Sequence, residues 1–75
     1  MDQEKGETME QIDQQRIQVL LQHWRHHNEE HAHSYEEWAD RLQEGGWSQV
    51  ADLLQEASRL TRTINSVLDD ALAKL

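Results

Sequence analysis

A pair of adjacent glycines, Gly45-Gly46, interrupts an otherwise continuous helix-forming pattern. The chain has no proline and only three glycines, so long helices are permitted on both sides of the pair. Two glycines readily supply a left-handed C-cap and a tight turn. We therefore predict an all-α fold, an antiparallel two-helix hairpin with one helix on each side of this turn.

Apolar side chains recur at the 3-4 spacing of a heptad repeat on both sides of the turn. The first stripe consists of Ile17, Leu21, Trp24, Asn28, His31, Tyr35, Trp38 and Leu42. The second consists of Trp47, Val50, Leu54, Ala57, Thr61, Ile64, Leu68, Ala71 and Leu75, and is widened by Leu53, Leu60, Val67 and Leu72. Because the second apolar arc is broader than one helix can cover, we expect a homodimer that forms a four-helix bundle.

The chain of 75 residues allows one small domain. We expect a disordered N-terminal tail over residues 1–7, which are polar and lack periodicity, and a single hairpin domain over residues 8–75. Within that domain the pattern predicts a helix over 8–44 with Thr8 as N-cap, a turn at 45–46 and a helix over 47–74. Reflection about the glycines places Asn28 near Ile64 and Leu75 near Arg16.

Composition excludes several classes of function. The formal net charge of −8 argues against a nucleic-acid partner, which would require a basic face. No apolar run approaches the roughly 20 residues needed to span a bilayer, and the acidic first ten residues do not resemble a signal peptide. Without cysteine there is no disulfide framework and no thiolate metal site. A cytoplasmic protein is expected.

All five histidines fall within one eleven-residue stretch of the first helix: His23, His26, His27, His31 and His33. Helical geometry stacks His23, His27 and His31 at i, i+4 and i+8, with Glu30 at the edge of that stripe. The heptad pattern points His31 inward and places His27 beside it, whereas His26 and His33 face solvent. Imidazoles with a carboxylate suit a divalent transition metal. We predict His23, His27 and His31 as ligands for nickel, zinc or copper, and Glu30 as a ligand or as the group that orients an imidazole.

The histidine-containing stretch fits three other interpretations. His27 to His31 fits H-x-x-E-H, an inverted zinc-protease pattern, but such enzymes need a distant third ligand and a substrate cleft. Glu30 to His33 fits the Glu-x-x-His of di-iron bundles, but His33 faces outward. Catalysis is therefore not expected. In the third interpretation the polar heptad positions Asn28 and His31 only set helix pairing, and the chain is a non-catalytic helical dimerisation or interaction module.

A family resemblance rests on the same residues. Leu21-Gln22-His23-Trp24, His27-Asn28-Glu29-Glu30-His31-Ala32, Tyr35 and Trp38-Ala39 resemble the HW-x-x-HN-x-EHA-x-x-(aromatic)-x-x-WA core of a family of small, uncharacterised α-helical proteins. The resemblance spans about residues 17–75. It implies a metal-associated hairpin whose characteristic polar positions are His23, His27, Glu30 and His31. His26 and His33 lie outside the motif.

The function expected from the sequence is a small metal-binding protein that acts as a buffer, carrier or accessory factor. Its expected partners are a second copy of the chain and a metalloprotein or metal transporter that exchanges the ion.

Overall fold

The computed structural model describes residues 12–75, so the predicted tail over 1–7 and the predicted N-cap Thr8 lie outside the described residues. Within residues 12–75, two helices follow in order: α1, Gln14–Glu44, and α2, Ser48–Ala73. They pack along most of their length and confirm the all-α hairpin. No helix within 12–75 is long and apolar enough to cross a membrane.

Helix α1 begins at Gln14 because Asp13 caps it. The Asp13 backbone is extended, and its carboxylate accepts a hydrogen bond from the Arg16 N–H at 2.9 Å. This satisfies one of the free amides of the first turn. The sequence analysis placed the start of the first helix at Thr8, which lies outside the described residues. Within residues 12–75, the cap at Asp13 sets the start of α1 at Gln14.

The glycine pair forms the turn as predicted. The Gly45 N–H donates to the Arg41 carbonyl at 3.0 Å, and the Trp47 N–H donates to the Leu42 carbonyl at 2.8 Å. Gly46 has a φ of 91°, a conformation that a residue with a Cβ adopts only under strain. These bonds satisfy the last carbonyls of α1 and reverse the chain within three residues.

The line of contact between α1 and α2, here called the seam, is built from small and polar side chains. From α1 it contains Leu21, Asn28, Ala32, Tyr35, Ala39 and Leu42, and from α2 it contains Ala51, Leu54, Ser58, Thr61, Asn65, Leu68 and Leu72. The buried apolar residues of 12–75 are Ala32, Ala39 and Ala51, and no large side chain in this range is fully buried. Small side chains let the two helices approach closely but supply little hydrophobic burial.

The register agrees with the reflection about the glycines to within about two residues. Asn28 contacts Asn65, one position beyond the predicted Ile64. At the open end of the hairpin, the Gln14 side chain donates to the Leu75 carbonyl at 2.9 Å, where the prediction placed Leu75 near Arg16. The hairpin measures 53 × 27 × 14 Å, so its smallest dimension is close to the width of a single helix.

Candidate functional site

Three imidazoles form a continuous column along α1, and we call this column the histidine stripe: His23, His27 and His31. The ring centroids of His23 and His27 are 5.2 Å apart with the planes at 67°, and those of His27 and His31 are 5.5 Å apart with the planes at 18°. The Tyr35 ring extends the column, 6.3 Å beyond His31. One turn of α-helix separates each member from the next, which is the spacing that the sequence predicted.

The histidine stripe is exposed in the single chain. The prediction that His31 points into the hairpin is wrong: the neighbouring Ala32 occupies the seam with 0% of its surface exposed. The physical reason is the close approach of α1 and α2, which selects alanine where an imidazole would not fit. His31 is consequently turned by one residue, about 100°, away from the inter-helix contact.

The two outer histidines each pair with an acidic residue one turn further along α1. The His26 Nε2 lies 3.2 Å from the Glu30 carboxylate, and the His33 Nε2 lies 3.3 Å from the Glu37 carboxylate. The side chains of His26 and His33 are 74% and 69% exposed, which confirms that both face solvent. Glu30 therefore contacts His26, which lies on the flank of α1 and is not part of the histidine stripe.

The described part of one chain, residues 12–75, does not assemble a complete metal site. No group of three or more His, Cys, Asp or Glu side chains within residues 12–75 is arranged so that it could hold an ion. The stripe offers two pairs of imidazoles one helical turn apart, His23 with His27 and His27 with His31. Zinc is usually bound by four ligands in structural sites and by three plus water in catalytic ones. The histidine stripe supplies at most part of such a set.

Ion pairs and hydrogen bonds close one side of the seam, here called the polar side. The Arg62 guanidinium contacts Glu36 at 3.0 Å and also Glu29, while the Ser58 hydroxyl donates to Glu36 at 2.5 Å. The bonds from Ser58 and Arg62 lower the pKa of Glu36 below its ordinary value. Further along, Arg25 pairs with Asp69, and this contact raises the pKa of Arg25.

Two asparagines lie at the centre of the seam. The Asn28 amide donates to the Asn65 side-chain oxygen at 3.1 Å. The Asn65 amide donates to the Arg25 carbonyl at 3.0 Å and to the Glu29 carboxylate at 3.3 Å. The sequence had marked Asn28 but not Asn65, Arg62 or Ser58. A second heptad path through Ala51, Ser58 and Asn65 was the signal that could have revealed them.

The opposite side of the seam, here called the open face, is apolar and uncovered. Its large apolar residues are Leu20, Trp24 and Trp38 on α1 and Val50, Leu53, Leu60, Ile64 and Val67 on α2, all between 44% and 69% exposed. His27 and His31 lie along the same edge of α1. Trp24 and Trp38, which the heptad spacing assigned to the first apolar stripe, do not form a core within the single hairpin.

These features define a small helical hairpin with a narrow polar seam, an exposed column of imidazoles and one uncovered apolar face. The chain belongs to a family described as a domain of unknown function (DUF8180), whose model matches residues 17–75. That span agrees with the one predicted for a small uncharacterised family. No curated protein and no solved structure matches the chain.

Proposed function

We propose that this protein binds a divalent transition metal, nickel, zinc or copper, through the histidine stripe, and that it acts as a metal buffer, carrier or accessory factor. The observation that supports this most directly is the column of exposed imidazoles, His23, His27 and His31, with successive ring centroids 5.2 and 5.5 Å apart. Imidazoles one helical turn apart can bind one ion together, and nitrogen ligands suit all three metals.

Glu30 enters the proposal as an additional ligand or as the group that orients an imidazole. Its carboxylate lies 3.2 Å from the Nε2 of His26 in the single chain. Both side chains are exposed, 63% for Glu30 and 74% for His26, so this pair is weak and a bound cation competes with it readily.

We further propose that the working unit is a homodimer with the architecture of a four-helix bundle. The open face supports this, because it leaves eight large apolar residues 44–69% exposed on a molecule only 14 Å thick. Patches of this kind on small proteins mark association surfaces. A metalloprotein or metal transporter that receives or supplies the ion is the partner class that fits a carrier.

A second function is favoured by a different observation. The Asn28–Asn65 contact and the ion pairs of the polar side fix helix register without any ligand. Together with the open face, they suit a non-catalytic helical dimerisation module in which the histidines have no role in metal binding.

Calorimetric titration distinguishes the two functions. Chelator-treated protein is titrated with Ni²⁺, Zn²⁺ and Cu²⁺ at about pH 7.5, because metal binding requires neutral imidazole ligands. We expect saturable binding that is lost in the variant His23→Gln/His27→Gln/His31→Gln. The matched control His26→Gln/His33→Gln removes the two outer imidazoles and should bind as the wild type does.

Binding that is absent, or diffuse and equal in all three proteins, would contradict metal binding and leave the dimerisation module.

A single variant, Glu30→Gln, then measures how much Glu30 contributes to metal affinity. Weaker affinity with unchanged stoichiometry identifies Glu30 as a ligand or orienting group, and unchanged affinity removes it from the site.

A further inference from the structure

The strip of α1 that borders the open face is symmetric in sequence about position 29. Leu20 and Trp38 lie nine residues before and after that position, and His27 and His31 lie two residues before and after it. Because eighteen residues complete five helical turns, Leu20 and Trp38 point in the same direction from the helix axis. His27 and His31 lie about 20° to either side of that direction. The order along the strip is apolar, imidazole, imidazole, apolar in both directions.

Such a strip is complementary to a second copy of itself. In a twofold interface, residue i contacts residue j of the other chain, and residue j contacts residue i in return. Two α1 helices that cross antiparallel at position 29 would set Leu20 against Trp38 of the partner subunit and His27 against His31 of the partner subunit.

We propose that a second copy of this chain covers the open face in this orientation, and that His27 and His31 of both subunits form one four-imidazole site for a divalent metal ion. The inference rests on the proposed metal-binding function and specifies where and how the ion is held. His23 lies further round α1, outside the symmetric strip, and is not one of the four ligands.

Charge supports a second copy as the occupant of the open face. The chain carries a net charge of −8, so two copies repel each other over most of their surface. Within α1 and α2, helical periodicity places one acidic residue beside the open face: Glu56, next to Leu53 and Leu60, and Arg59 pairs with it. The acidic residues of the seam lie on the polar side, where Arg62 and Arg25 pair with them. Two chains can therefore meet through the open face with little charge repulsion.

The single chain also leaves both the fold and the metal site incomplete. It is 14 Å thick, a single layer of helices, whereas stable domains pack two layers around a core. It also lacks any three-ligand group within residues 12–75. A second copy supplies the missing layer and two more imidazoles, which completes the four nitrogen ligands that zinc accepts.

The other twofold arrangement places α1 over α2 of the partner subunit. There His27 and His31 would pack on aliphatic side chains such as Ile64 of the partner subunit, with no group to bind their ring nitrogens. Burying polar nitrogens without partners is unfavourable. The arrangement of α1 against α1 avoids this, because the imidazoles meet one another and share an ion.

Zinc stoichiometry and dimer affinity test the inference together. The full chain is titrated with Zn²⁺ and, in parallel, with Ni²⁺, and its dimer dissociation constant is measured by sedimentation equilibrium with and without the ion. We expect one ion per two chains and a dimer at least about tenfold tighter when metal is bound. His27→Gln/His31→Gln should remain dimeric without responding to metal, and His26→Gln/His33→Gln should respond as the wild type does.

The outcomes separate this inference from the function on which it rests. One ion per chain, or saturable binding to a monomer, overturns the shared site and leaves metal binding intact. The absence of saturable binding of either metal overturns both.

Orientation is tested by disulfide cross-linking, since the chain has no cysteine of its own. Chains carrying Leu20→Cys and chains carrying Trp38→Cys are mixed and oxidised in a glutathione buffer, and the mixed disulfide is quantified by mass spectrometry. The comparison mixture combines Trp38→Cys with Ala57→Cys, a pair that α1 over α2 of the partner subunit would bring together. We expect the mixed disulfide in the first mixture. Cross-linking in the second mixture only, or in neither, overturns the proposed orientation.

Discussion

The two sides of the seam differ in whether their side chains find partners within one chain. On the polar side, Glu36 receives hydrogen bonds from Ser58 and Arg62 and Arg25 pairs with Asp69, so the charged groups at this edge have partners within the chain. On the open face, large apolar side chains such as Trp38 and Leu53 are 54% and 69% exposed. The charged groups of the polar side are paired within one molecule, whereas the apolar side chains of the open face are exposed.

The two sides therefore contribute differently to helix register and to stability. Hydrogen bonds and ion pairs are directional, so the polar side fixes the register of α2 against α1 while adding little net stability. Burial of apolar surface is not directional but is the main source of stability, and in the single chain it is largely unused. The hairpin is therefore specified within the chain, and we infer that it is stabilised mainly by association.

The largest expected effect comes from placing a charge on the open face. In the proposed dimer, Ile64→Asp costs each subunit the burial of a large aliphatic side chain, about 1.5–3 kcal/mol, so association should weaken about a hundredfold or more. Sedimentation equilibrium measures the change. The control is Val19→Asp, at a residue that is 61% exposed on the outer surface of α1. Equal weakening by both substitutions would contradict the special role of the open face.

A smaller effect is expected from enlarging a side chain in the seam. Ala32 is 0% exposed, so Ala32→Leu forces α1 and α2 apart and should lower the free energy of unfolding by about 1–3 kcal/mol. Denaturant unfolding monitored by circular dichroism provides the value. Ala73→Leu, at the exposed end of α2, should have little effect. If Ala32→Leu were neutral or stabilising, the seam would not be the close contact described here.

Removing the central asparagine tests the polar side. Asn65 is 4% exposed, and its loss removes the acceptor of the Asn28 amide and the side-chain donor to the Arg25 carbonyl. Asn65→Ala should cost about 1–2 kcal/mol in the same unfolding assay, since buried polar groups lose their hydrogen bonds. The exposed neighbour Ser66 provides the comparison, and Ser66→Ala should change stability by less than about 0.5 kcal/mol. Equal effects of the two would show that the asparagine pair contributes nothing to pairing.

The smallest effect concerns pH. The pKa of Glu36 is lowered in the folded chain by Ser58 and Arg62, so its ionised form stabilises the fold. That contribution is complete above the pKa of the unfolded carboxyl and is lost as pH falls through the lowered folded value. Glu36→Gln should therefore reduce the midpoint of thermal unfolding at neutral pH, and its curve should converge with that of the wild type in acid. Parallel curves down to the most acidic pH would contradict this role.

The sequence predicted the hairpin because the glycine turn and the heptad spacing are local features. It also predicted the outward position of His26 and His33. The prediction for His31 was wrong, because the heptad stripe contains residues that point in two different directions. Some of them face α2, and others, including His31, face the open face. Which of the two a residue takes depends on how closely the helices approach. That distance is set by Ala32, Ala39 and Ala51 together, and so by pairs of residues far apart in the chain.

For the candidate site, the sequence predicted the spacing of the histidines along α1 but not the contacts of their side chains. The one-turn interval of His23, His27 and His31 follows from helix geometry and appears in the structure as their ring distances. The contact of Glu30 with His26 could not be deduced, since a carboxylate on a helix can reach either flank by a rotamer change.

The molar mass in solution tests most directly whether the open face joins two chains. Light scattering on protein eluting from a size-exclusion column, measured over a dilution series, reports this mass without a label or a variant. We expect twice the chain mass of 8.9 kDa, with dissociation only at high dilution. A mass of 8.9 kDa at every concentration, with the helices intact by circular dichroism, would contradict it.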